Sequence, residues 1–93
     1  MTIQFNHKVI RRPETLSIIG CSKTTLHNLQ KKQLFVSSIS VGERAVGYLA
    51  EEVQAIVAAR AANQTDSQIR SLVKLLEEQR KQSANAFLNA IAA

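Results

Sequence analysis

The 93-residue chain has one cysteine, Cys21, so it forms no internal disulfide. With two histidines, His7 and His27, that cysteine falls short of a structural zinc set, and neither a metal nor a cofactor is expected. One proline and three glycines exclude collagen-like and linker-like chains. Aromatic residues make up 4%, with no tryptophan, so stacking platforms for single-stranded nucleic acid are poorly supplied. The longest nearly apolar run, residues 16–21, is far below the roughly 20 residues that cross a bilayer. Residues 1–8 are too polar for a signal peptide and read as a flexible arm. The expectation is one small, soluble, cytoplasmic domain without a membrane partner, stabilised by packing or self-association.

What is present is basic charge, unevenly placed. The net charge is +5. Residues 1–44 hold seven Lys and Arg against Glu14 and Glu43, whereas residues 45–93 hold five basic and five acidic residues. A polyanion-binding face leaves this asymmetry in a sequence.

The pattern of elements is short and mostly helical. Pro13 suits a first helical position, Glu14 suits the first turn, and Gly20 ends a helix over about 13–19. Ser22 is an N-cap for a second helix whose buried edge is Leu26 and Leu29. The period then changes. Ile39 and Val41 alternate before Gly42, Glu43 and Arg44, and Ala45, Val46 and Tyr48 follow, which predicts a hairpin over 38–41 and 45–49. Val53, Ile56 and Val57 set a third helix over 51–62. Thr65 and Gln68 have capping-box spacing ahead of a final helix from Asp66 onward. Its heptad seam contains Arg80 and Ser83, so two separate apolar patches fit better than a long coiled coil.

Catalysis finds little support. Gly20, Gly42 and Gly47 are isolated, and Ser22 and His27 do not face each other on a helix. The pairs Glu51–Glu52 and Glu77–Glu78 read as solvated faces. Cys21, beside a helix N-terminus, reads as a small packing residue. The chain is expected not to be an enzyme.

The second helix carries the stronger signal. Ser22, Lys23, Thr24 and Thr25 in its first turn suit phosphate contact, and Lys23 can also reach a guanine edge. Asn28 suits paired contact with adenine, and a Thr24 or Thr25 methyl can meet thymine. His27 shares the polar surface, and Lys31 and Lys32 stand at the far end, suited to the backbone. Arg44 at a hairpin tip suits a phosphate or the minor groove, and Arg11 and Arg12 can clamp flanking backbone.

Three stretches resemble the AlpA-type prophage regulators, small winged helix-turn-helix proteins related to phage excisionases and to the MerR-type DNA-binding domain. They are Arg11-Arg12-Pro13-Glu14 through Gly20-Cys21-Ser22-Lys23-Thr24-Thr25-Leu26, then residues 41–49 (Val41-Gly42-Glu43-Arg44-Ala45-Val46-Gly47-Tyr48-Leu49), then Glu51-Glu52-Val53 with Ala58-Ala59-Arg60. The resemblance covers about residues 9–62. It implies that the helix from Ser22 to Lys32 enters the major groove and that Arg44 approaches the backbone or minor groove.

The expected fold is therefore mainly α: a winged helix-turn-helix of two short helices, a β-hairpin wing and a third helix, over 9–62, plus a C-terminal association helix within 63–93. Association is expected through Ile69, Leu72, Val73, Leu76, Phe87, Leu88 and Ile91, giving a homodimer or higher homo-oligomer, the alternative being a helix that folds back to complete the small core. The expected function is sequence-specific binding of double-stranded DNA as a phage or mobile-element transcriptional regulator, with a recombinase or RNA polymerase as a further partner. Three alternatives stand beside it: an excisionase-like architectural factor, a DNA-recognition subunit of a phage packaging machine, and a protein-interaction adaptor with an acidic partner.

Overall fold

A computed structural model describes residues 7–92. In chain order the elements are β1 (Val9–Arg11), α1 (Arg12–Ile19), α2 (Lys23–Lys31), β2 (Ile39–Gly42), β3 (Ala45–Leu49), α3 (Ala50–Ala61) and α4 (Asp66–Ala92). The architecture is a mainly helical winged helix-turn-helix with a long C-terminal helix, as expected.

Local chemistry accounts for the helix ends. Pro13 sits in the first turn of α1, and Gly20 closes it at φ 68°, a left-handed conformation that costs a Cβ-bearing residue more than it costs glycine. The Ser22 side chain accepts from the Thr25 N–H and so caps α2. Thr65 and Gln68 cap α4 reciprocally: the Thr65 N–H donates to Gln68 Oε1 at 2.9 Å, and the Gln68 N–H donates to Thr65 Oγ1 at 3.2 Å.

The wing is part of a three-stranded antiparallel sheet in the order β1-β3-β2. Strand β1 was not anticipated from the sequence. It places Val9 opposite Leu49, Ile10 opposite Tyr48 and Arg11 opposite Gly47. Strand alternation then sends Ile10 and Tyr48 into the core and leaves Val9 at the outer face. Of the arm expected over residues 1–8, residues 1–6 lie outside the described residues. His7 and Lys8 are tied to the start of α3: Lys8 O accepts the Ala50 N–H at 2.8 Å, and His7 Nδ1 lies 3.2 Å from Glu51.

One core joins every layer. Ile10, Leu26, Leu34, Phe35, Val36, Tyr48, Val53 and Ile56 meet within it. Phe35 and Tyr48 pack edge to face with ring centroids 5.9 Å apart. Gln30 is half-buried, and its Nε2 donates to Val36 O at 3.0 Å and Tyr48 Oη at 3.3 Å, holding α2 to the buried 34–36 segment.

The last helix corrects the expectation of a separate association segment. Ile69 and Val73 are 0% and 4% exposed within that same core, and Leu72 and Leu76 pack against it half-buried. Ile69 and Val73 are thus covered by the chain itself and Leu72 and Leu76 partly so, in keeping with the small apolar area that a head of about 54 residues can bury alone. Polar ties reinforce the docking. Arg70 Nε donates to Lys32 O at 2.9 Å, and Glu77 accepts the Ser37 N–H at 2.7 Å.

Glu52 is a second correction. It is buried, and Arg80 grips its carboxylate with Nε and Nη2 while Nη2 also donates to Ser37 O at 2.9 Å. Beyond Arg80 the helix runs on past Phe87, which is half-buried, to Leu88 and Ile91, which are 55% and 65% exposed.

Candidate nucleic-acid interface

Helix α2 has two apolar positions, Leu26 and Leu29, and both turn inward. At about 100° per residue, Thr24, Asn28 and Lys31 then lie opposite Leu26, and all three are exposed. Lys23, Thr25, His27 and Lys32 are exposed around them. Within this set the hydroxyls of Ser22 and Thr25 are engaged with each other, Ser22 Oγ donating to Thr25 Oγ1 at 3.0 Å. Those two shape the start of the helix, while Lys23, Thr24, His27, Asn28 and Lys31 keep their polar ends toward solvent.

The residues flanking α2 are brought to it unequally. Arg12 is half-buried and shares a shallow cleft of about 400 Å³ with Lys23, Thr24 and His27. Arg11 is turned toward the wing, where its Nε donates to Val46 O at 3.2 Å. Arg44 is exposed at the two-residue tip between β2 and β3, with φ 59°. A β-bulge between Ser40 and Gly42 precedes that tip.

Only two of the Lys and Arg side chains, Arg60 and Arg80, are ion-paired among the described residues. Among the described residues the ion pairs are His7–Glu51, Arg60–Asp66 and Arg80–Glu52. Arg11, Arg12, Lys23, Lys31, Lys32 and Arg44 are in none of them. The basic half of the chain thus presents uncompensated charge.

Residues 8–61, more than half of the chain, match a family model, Prophage CP4-57 regulatory protein (AlpA). The chain belongs to the AlpA family. It is therefore a phage-related regulatory protein of a family that is not an enzyme family. The chain has no match among curated proteins or among solved structures. The family match ends before α4, so the regulator's long helix lies outside it.

Two basic residues escaped the sequence reading. Arg70 and Lys74 line a cleft of about 680 Å³ that His27 and Lys31 of α2 also line. They belong to the charge-neutral half of the chain, so no excess of charge marked them, and their position follows from how α4 docks. Cys21 is half-buried beside Ile18, Leu29 and Ile56 at a cleft of about 210 Å³, and burial pushes its thiol above the ordinary range. That is the opposite of an activated thiolate. Among the described residues no three His, Cys, Asp or Glu side chains cluster to hold a metal, and no helix is long and apolar enough to cross a membrane.

Proposed function

We propose that this AlpA-family regulator binds double-stranded DNA in a sequence-dependent way and controls transcription in a prophage or mobile element. Helix α2 lies in the major groove, where Lys23, Thr24 and Asn28 read base edges. Arg12, Lys31 and Lys32 contact the flanking phosphates, and the wing brings Arg44 to the backbone or minor groove, with Arg11 beside it. The observation that carries this reading is the absence of ion pairs at these cations among the described residues, on a helix with no acidic residue of its own. The seven Lys and Arg of residues 1–44 stand against only Glu14 and Glu43, the uneven placement that binding of a polyanion leaves.

The exposed end of α4, with Phe87, Leu88 and Ile91, joins two or more copies, so that two copies of α2 address two half-sites. Sedimentation of the full chain gives the protomer count, and Leu88→Asp with Ile91→Asp shifts it to the monomer.

Selection of bound sequences from a random duplex pool tests the DNA reading. The expected result is an enriched motif, with a log–log salt slope of about −4 to −5 per protomer if about five phosphates are neutralised. Lys23→Ala or Asn28→Ala relaxes the motif by about 1–3 kcal/mol per lost base contact. No retention of duplex DNA at physiological salt overturns the proposal.

A further inference from the structure

We propose that α4 is itself part of the DNA-binding surface, with Arg70 and Lys74 forming a phosphate clamp together with His27 and Lys31 across the cleft between α2 and α4. This rests on the DNA-binding reading above and extends it to a segment outside the family match.

The cleft is lined on one side by His27 and Lys31 and on the other by Arg70 and Lys74, with Ser37 and Ser38 between. Arg70 and Lys74 are four residues apart and so share one helix face. Both are exposed, and neither is in an ion pair among the described residues. Arg70 is held in place from behind, since its Nε donates to Lys32 O at the end of α2. Among the described residues the two Nη groups make no other bond, leaving a forked donor of the kind that suits a phosphate. Glu77 also lines the cleft and accepts the Ser37 N–H at 2.7 Å; its single negative charge stands against the three positive charges of Lys31, Arg70 and Lys74.

The ligand class follows from the direction of α2. A recognition helix puts its N-terminal residues on base edges, so the groups around its C-terminal end meet the flanking sugar–phosphate strand. Three cationic side chains and the His27 imidazole there, supplied by two helices tied to each other, match a run of phosphates along one strand. The clamp carries no base information. It adds affinity and salt dependence equally on all sequences.

The test is fluorescence anisotropy of the full chain with a labelled mixed-sequence duplex and with the selected duplex, each titrated over a range of salt. Lys74→Gln, whose side chain makes no hydrogen bond among the described residues, is the decisive variant, and Arg70→Gln accompanies it. Each is expected to flatten the log–log salt slope by about 0.9 per protomer on both duplexes, without altering the selected motif. Arg60→Gln, at the end of α3, ion-paired with Asp66 and not among the residues lining this cleft, is expected to leave the slope unchanged. Wild-type binding with unchanged slopes in both variants overturns this proposal and leaves the DNA reading intact. Equal flattening by Arg60→Gln overturns it as well, as a general effect of charge. Failure of the wild-type chain to bind either duplex overturns both readings.

Discussion

Replacing Arg80 with methionine is expected to undo much of the fold, although Arg80 lies 28 residues from its partner and outside the family match. The Arg80 and Glu52 side chains are 15% and 6% exposed, so the pair is largely withdrawn from water. Removing one member of such a pair leaves a buried charge without compensation and costs about 3–5 kcal/mol. A chain of this length holds about 5–14 kcal/mol in total, so the loss is a large fraction of it. At about 4–8 °C per kcal/mol, the melting temperature falls by at least about 12 °C. The double replacement Glu52→Met with Arg80→Met removes both charges and recovers most of that loss, since apolar replacement of a buried pair is often neutral. Urea unfolding followed by circular dichroism measures all three chains. A loss below about 1 kcal/mol in Arg80→Met, or a double variant as unstable as the single, refutes the reasoning. A lowered m value in Arg80→Met would identify undocking of α4 as the first step, because m follows the surface exposed.

Three further outcomes follow from the geometry. Gly47→Ala places a Cβ 2.5 Å from Val9 Cγ1 and 3.2 Å from Ile10 O, and is expected to destabilise by about 1–3 kcal/mol in the same unfolding assay. Arg44→Gly relieves a left-handed residue at the wing tip; stability stays level or rises by up to about 1 kcal/mol while affinity falls on all duplexes, measured by melting and anisotropy side by side. Burial raises the Cys21 thiol, so the folded chain keeps its proton above the pH at which the unfolded chain loses it; stability is full below the ordinary thiol range and declines as pH rises through it, and alkylation at alkaline pH is slower than in urea-unfolded chain.

The parts of the fold legible in the sequence are those with local causes. Pro13 and Gly20 bound α1, Ser22 caps α2, the Thr65–Gln68 box starts α4, and the alternation around Gly42 marks the wing. What escaped depends on distant partners. Strand β1 is three residues long, too short for alternation to register, and exists because β3 lies beside it. Arg80 broke the heptad seam of α4 and so argued for two separate apolar patches, yet it faces inward because Glu52 waits there. Glu52 in turn read as one of a solvated pair because adjacency says nothing about what crosses above a helix. The same docking decides which α4 cations reach α2, so Arg70 and Lys74 had no signature in composition or spacing.

The unbroken course of α4 has a geometric consequence. Its 27 residues rise about 40 Å at ~1.5 Å each, close to the 42 Å longest dimension of the molecule. One end is bolted to the head and the other projects, without a hinge between them, so the helix behaves as a protractor arm. Each residue inserted between Arg80 and Leu88 would swing the tip by about 100° and advance it by about 1.5 Å. The angle between head and tip is therefore set in discrete steps by chain length.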